Sequence, residues 1–365
     1  MVIVFIPISP GALLITGLLV IALVSSWRVS LSRLATRIAP RKRLLIVGTS
    51  PAAIELAREL DERRGTLGAE IVGFADSNLE RIGRTVLGRV VGTVEDIPAM
   101  IRKVKADRVV VSLSDARGRL PMDELLDVRL HGHATFDHLT SAYEEYTGKI
   151  AVEALRPSWI VFSSGFRKTR ALLTGKRTLD VILALVGLLI AAPLLVVAAA
   201  LVRLTSQGAT IYRQQRVGLN GRLFTIYKLR TMRADAEAAT GPIWSPVNDA
   251  RITAVGRFLR NSRLDELPQL WNILRGDMSF VGPRPERPEF AADLAVAIPL
   301  FGTRHVVKPG LTGWAQVHQA YASSVEEALE KLQYDLYYIK NLSLWLDLLI
   351  IVKTVKTVLR QRGAR

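Results

Sequence analysis

RNSRLDELPQLWNILRGDMSFVGPRP, residues 260–285, is the stretch from which the rest of the chain is read. Leu267, Leu270, Trp271 and Leu274 recur at i, i+3, i+4 and i+7, which is one face of a helix. Gly276 ends that helix, and Pro268 is tolerable only in its first turn. Asp265 and Glu266 then stand at a helix start, where backbone N–H groups and the helix dipole favour anions, a phosphate included. Arg257, Arg260 and Arg263 precede the carboxylate pair, and Arg284 follows it between Pro283 and Pro285. These residues by themselves support two readings equally. One is a phosphate-handling site; the other is an N-cap aspartate beside a solvated charged face.

Composition narrows the choice. The chain has 365 residues, 49% of them hydrophobic and 22% charged, with a net charge of +16. That length suggests two or three structural units, and the apolar content is high for a wholly water-soluble protein. The positive surplus draws anionic headgroups, phosphorylated substrates or nucleic acid. No zinc-finger, homeodomain or RRM signature is present, so nucleic acid is not expected as a partner. The absence of cysteine excludes disulfides, thiolate nucleophiles and cysteine-bound zinc, and suits a cytosol-facing enzyme.

Upstream, Val2–Val24 is apolar and uncharged, long enough for a transmembrane helix, assigned to residues 1–27. Arg28, Arg33, Arg37, Arg41, Lys42 and Arg43 follow it, and the positive-inside rule puts everything beyond in the cytoplasm. Residues 41–165 read as a Rossmann-like α/β domain with a parallel sheet. Leu44–Gly48, Ile71–Asp76 and Asp107–Leu113 are its strands, and Ala52–Arg64 is a helix between them. The first turn, Gly48-Thr49-Ser50-Pro51-Ala52-Ala53, has the place of a dinucleotide fingerprint without its glycines, so a structural or regulatory module is expected rather than a cofactor site. His131, His133 and His138 form a spaced set, with the first two placed on one strand face; satisfied polar histidines are the preferred reading over a metal site.

A second apolar run, residues 178–203, is interrupted by Pro193 and flanked by positive charge on both sides, Lys176 and Arg177 before it, Arg203, Arg213 and Arg216 after. Equal flanks suit a re-entrant helix–break–helix hairpin that dips into the membrane and returns. Residues 170–365 then form a mainly helical, loop-rich domain. Ser324 and Glu327 make a capping box that opens a helix reaching Lys340. Beyond it, residues 344–365 read as an interfacial amphipathic helix or a helix packed on a neighbour, with equal support.

Six motifs in order carry a resemblance: Lys176-Arg177-x-x-Asp180 with Pro193; Gln214-x-Arg216-x-Gly218; Lys228-Leu229-Arg230-Thr231-Met232; Leu264-Asp265-Glu266-Leu267-Pro268-Gln269; Val281-Gly282-Pro283-Arg284-Pro285; and Lys308-Pro309-Gly310-Leu311-Thr312-Gly313. Residues 170–365 resemble the bacterial sugar transferases, polyprenyl-phosphate hexose-1-phosphate transferases. Residues 41–165 resemble the domain carried by the long exopolysaccharide-type members, and the run 143–166 is similar to members of exosortase-associated loci. Long members carry several amino-terminal spans where this chain shows one, which reads as a shortened form.

The resemblance implies transfer of hexose 1-phosphate from a UDP-sugar, glucose or galactose by default, to undecaprenyl phosphate, with release of UMP. Asp265 corresponds to the family's nucleophile and Glu266 to its Mg²⁺-holding partner, with Asp265 beside it. Arg260, Lys228, Arg230 and Arg284, between Pro283 and Pro285, correspond to phosphate-binding groups. The implied partners are the UDP-sugar, the polyprenyl phosphate, membrane lipid and a second copy of the chain. The implied place is the bacterial inner membrane, with the catalytic domain facing the cytoplasm. Two other readings are a non-catalytic polysaccharide-assembly scaffold and a membrane nucleotide-sugar dehydratase or epimerase. The dehydratase needs a glycine-rich turn and a Tyr-x-x-x-Lys pair, neither of which the chain has.

Overall fold

The structure is a computed structural model that describes residues 16, 23–24, 26–27, 41–63, 67–76, 90–112, 120–132, 134–152, 163–233, 235–236, 241, 249–319 and 324–359. The transmembrane helix expected over 1–27 falls almost wholly outside these residues, as does His133. Two compact units make up the chain, Met1–Thr147 and Gly148–Arg365.

The first unit is a five-stranded parallel sheet in the order β3-β2-β1-β4-β5, built from β1 Lys42–Val47, β2 Ala69–Ala75, β3 Val90–Gly92, β4 Arg108–Val111 and β5 Thr135–His138. The helices are α1 Pro51–Glu62, α2 Ile97–Val104, α3 Met122–Leu130 and α4 Leu139–Thr147. Continuous apolar strands such as Leu44-Leu45-Ile46-Val47, fully buried, are what a sheet covered on both faces requires. Pro51 opens α1 behind Ser50, whose side chain accepts from Ala53 N, so the turn is closed by a cap rather than by glycines. Thr49 donates to the buried Asp76 carboxylate at the end of β2. His131 does not lie on a strand as expected. It follows the last residue of α3, where its ring contacts the Asp127 backbone oxygen at 3.0 Å.

The second unit begins earlier than the expected boundary at 165. Ile150 and Val152 are buried in its core beside Trp314, Leu332, Tyr338 and Ile350. Its longest element is α5, Arg170–Thr205, a 36-residue helix. The expected break shows no gap: α5 runs through Pro193 without interruption. A proline removes one N–H and crowds one carbonyl, and the turns on either side keep their bonds and their packing. Small residues make that packing close. Ala184 and Ala191 rest on Leu270, Ile273 and Met278; Ala198 and Val202 rest on Leu229 and Leu259. The opposite face leaves Ile182, Leu185, Val186, Leu189, Ile190, Leu194, Val196 and Val197 exposed. Among the described residues, α5 is the one helix long and apolar enough to cross a membrane.

After α5 come an antiparallel ribbon, β6 Ile211–Val217 and β7 Leu223–Leu229, then α6 Ala254–Asn261 and α7 Gln269–Arg275. β8 Ser279–Val281 pairs in parallel with β9 Gly310–Thr312, with α8 Pro288–Ala297 between them. α9 Trp314–His318, α10 Val325–Lys340 and α11 Leu344–Leu359 complete the unit. Ser324 caps α10 as expected, accepting from Glu327 N at 3.2 Å. α11 joins the two readings offered for it. Leu346 and Ile350 are buried in the core, while Trp345, Leu348, Val352 and Val355 remain exposed.

Candidate active site

The 3₁₀ turn Leu264–Glu266 presents the carboxylate pair, and it exists because of the residue before it. Arg263 adopts a left-handed backbone, φ 58°, which turns the chain sharply after α6. The turn leads into α7, which stops at Gly276, φ 91°, as the sequence indicates. The buried face of α7 differs from the expected one: it is Gln269, Leu270, Asn272 and Ile273, while Trp271 is 54% exposed. Asn272 can be buried because its amide is fully paired with the edge of β7. It donates to Thr225 O at 2.7 Å and accepts from Tyr227 N at 3.1 Å. That pairing fixes α7 against the strand that carries Lys228.

Glu266 is enclosed by cations. Arg284 Nη2 donates to its Oε1 at 2.6 Å, Lys228 Nζ to the same oxygen at 3.2 Å, and Arg263 Nη1 lies 3.7 Å from Oε2. Burial alone would raise this carboxyl, but Arg284, Lys228 and Arg263 outweigh it and hold it well below the usual carboxylate range. Asp265 has the opposite environment. It is 8% exposed, and its Oδ1 is buried with no hydrogen-bond partner among the described residues. Burial, with the Glu266 charge adding, pushes its carboxyl up to about 6 against the pull of Lys228, Arg260 and Arg263. Burial likewise brings the Lys228 ammonium down to about 8. Neighbouring acids held in different states are the arrangement by which one site divides two roles.

The backbone of the loop bearing Arg284 is pinned at three carbonyls. Arg304 Nη2 donates to Arg284 O at 3.0 Å, Arg216 Nη1 to Pro285 O at 3.0 Å, and Gly310 N to Pro283 O at 2.9 Å. A Cβ on Gly282 would stand 2.4 Å from Lys308 O, so the β8–β9 approach needs glycine there. Arg304 is itself buried and paired with Asp335 Oδ2 at 2.7 Å.

The expected residues therefore divide. Asp265, Glu266, Lys228 and Arg284 converge. Arg260 contributes its charge to Asp265 and donates to Thr231 Oγ1 at 2.9 Å. Arg230 reaches the carboxyl end of α5, donating to Ser206 O and Oγ at 2.8 Å each. Lys176 and Arg177, placed as the basic flank of the hairpin, also act as clamps inside the globular unit. Lys176 Nζ donates to Val281 O at 3.0 Å and to Asp347 Oδ2 at 2.7 Å. Arg177 donates to Ile273 O and Leu274 O at 2.6 Å each, closing the carboxyl end of α7. Arg216, Arg304 and Asn272 were not singled out as site residues. Arg216 belongs to the run Gln214-x-Arg216-x-Gly218, whereas Arg304 lies in no motif.

Comparison with known proteins places the chain. Residues 171–361 match the family described as Bacterial sugar transferase. The UDP-N-acetylgalactosamine-undecaprenyl-phosphate N-acetylgalactosaminephosphotransferase of Aeromonas hydrophila is 37% identical over 72% of this chain and 61% of its own length. The UDP-glucose:undecaprenyl-phosphate glucose-1-phosphate transferase of Xanthomonas campestris pv. campestris is 40% identical over 60% of this chain and 45% of its own. The enzyme of the same name from Klebsiella pneumoniae is 33% identical over 86% and 67%. The chain thus spans between about half and two thirds of the length of these relatives.

Proposed function

This chain belongs to the bacterial sugar transferase family, and we propose that it moves hexose 1-phosphate from a UDP-sugar to undecaprenyl phosphate through a phosphosugar carried on Asp265. The observation that carries this reading is the contrast within the carboxylate pair: Glu266 is locked to Arg284 and Lys228, while Asp265 keeps an unpartnered oxygen and a carboxyl near neutrality. A nucleophile must be free to leave its ionic neighbours, and only Asp265 is.

In the first step an Asp265 oxygen attacks the sugar-bearing phosphorus. The bond from that phosphorus to the oxygen of UMP breaks, and UMP departs with the electron pair. In the second, a phosphate oxygen of undecaprenyl phosphate attacks the same phosphorus, the acyl-phosphate bond breaks, and the Asp265 carboxylate is restored. Lys228, Arg260 and Arg284 offset the repulsion between a carboxylate and a charged diphosphate. The donor set suits Mg²⁺, a hard cation that takes one or two carboxylates and completes its shell with phosphate and water. Glu266 Oε2 and an Asp265 oxygen would hold it, with phosphate and water completing the shell. Bound there, the cation would neutralise the diphosphate as UMP leaves.

A UDP-glucose or UDP-galactose donor is the first choice, feeding the first step of an exopolysaccharide repeat unit. The setting is the cytoplasmic face of the inner membrane, where a soluble nucleotide and a lipid phosphate can meet. Purified protein incubated with radiolabelled undecaprenyl phosphate and a panel of UDP-sugars, with and without Mg²⁺, should make a lipid-linked diphosphate sugar and UMP. With the UDP-sugar alone it should accumulate a labelled protein adduct that Asp265→Asn lacks. Turnover without any such adduct under rapid quench ends the proposal.

A further inference from the structure

Among the described residues, two polar side-chain atoms next to the carboxylate turn are buried without a hydrogen-bond partner: Asp265 Oδ1 and Gln269 Nε2. Gln269 is only 3% exposed, and no described residue bonds its Nε2. A buried amide left unpaired costs about 1–3 kcal/mol and in a native protein calls for an explanation. One orphan is an acceptor and the other a donor. They stand four residues apart on a helical path, since Leu267 and Pro268 both have right-handed helical backbone between the 3₁₀ turn and α7. Side chains at i and i+4 are neighbours on a helix, and a Gln amide with an Asp carboxylate is a pair that bonds at that spacing. The rest of the buried face of α7 gives no such excuse: Asn272, the other polar residue there, is fully paired.

Resting on Asp265 as the nucleophile, we propose that Gln269 is a positioning residue whose Nε2 donates to Asp265 Oδ1 once the UDP-sugar is bound. The pairing fixes the carboxylate plane and leaves Oδ2 aimed at phosphorus. An ionised carboxylate offers about four lone-pair sites, so an amide on Oδ1 does not displace a cation from the group. The device satisfies both orphans in one move and confines Asp265 to a single attacking orientation, which is where much of the advantage of an enzyme-bound nucleophile lies. Because the donor is neutral, it adds no further positive charge to a centre already crowded with it.

The test separates positioning from packing. Gln269→Leu keeps the volume and removes the unpaired amide; Gln269→Glu keeps the shape and removes the donor. Both should lower kcat by about ten- to a hundredfold while KM for the UDP-sugar stays within about twofold. UMP release in a single turnover should slow by the same factor as kcat, placing the loss in the first step. The melting temperature of Gln269→Leu should be unchanged or higher, because nothing bonded was removed. A merely structural Gln269 predicts the reverse, a lower melting temperature with kcat per folded molecule intact. Gln269→Leu or Gln269→Glu turning over within about twofold of the parent overturns the inference. Asp265→Asn run in parallel keeps the two ideas apart. If it is inactive while the Gln269 variants are fast, only the role of Gln269 fails; if it is active, the nucleophile itself is wrong.

Discussion

Asp265 and Glu266 are adjacent in sequence and opposite in state, and pH is the lever that exposes the difference. As the proposed nucleophile, Asp265 would attack only when ionised, and its carboxyl is pushed up to about 6. Lys228 supports the site only when charged, and its ammonium is brought down to about 8. Transfer should follow a bell with an acid limb near the first value and an alkaline limb near the second; a flat profile between pH 5 and 9 contradicts the assignment. Stability follows with its own sign. A carboxyl whose folded value is raised stabilises the fold when protonated and loses that contribution as pH rises through about 6. At pH 8 the ionised Asp265 is therefore a burden. Asp265→Asn should abolish transfer yet unfold at higher denaturant, by about 1–3 kcal/mol, with the gain vanishing near pH 4. The carboxylates and Arg284 are legible in the sequence because they share one short charged run, whereas Lys228 is reached only through the family resemblance. Gln269 and Asn272 were not legible. The leucines and Trp271 suggested one apolar face, and no local pattern reveals that an asparagine can face inward once a strand edge takes both ends of its amide. Arg304 was equally hidden, since its partners Arg284 and Asp335 are distant in the chain.

At the level of the element, α5 is the informative case. Its apolarity and its proline were plain from sequence, and its unbroken course was not, because bending and breaking at a proline are decided by what the neighbouring turns rest on. About 54 Å long at the usual rise, α5 exceeds the hydrocarbon thickness of a bilayer, yet the globular unit grips it near both ends. Lys176 and Asp180 hold β8 at one end, and Arg230 holds Ser206 at the other. Both ends should therefore stay on one side of the membrane. The chain has no cysteine, so Arg170→Cys and Arg203→Cys can be labelled singly with an impermeant maleimide; reaction of one from each side would show a crossing. The Lys176–Asp347 pair is a buried ion pair, 2.7 Å long with side chains 10% and 2% exposed. Lys176→Met should cost about 3–5 kcal/mol in denaturant unfolding, by stranding a buried carboxylate, and the double change with Asp347→Leu should recover part of that.

On the scale of the whole molecule, the two units invite separation, and their boundary decides the outcome. A fragment of residues 148–365 keeps Ile150, Val152 and Phe166 against the core of the second unit. It should fold and retain transfer in detergent or nanodiscs. A fragment starting at 170 removes those side chains and should be less stable by about 2–5 kcal/mol, read from its denaturant midpoint. Equal stability of the two would show that the leading segment is dispensable. The two-faced character of α5 has a practical corollary. Alanine on the inner side lets the helix lie close, while leucine, isoleucine and valine on the outer side find no shelter in the protein. Such a molecule travels through a sizing column only with a belt of amphiphile around that helix. Its apparent mass will then vary with the surfactant chosen, and dilution below the micelle threshold should precipitate it while its catalytic centre is still intact.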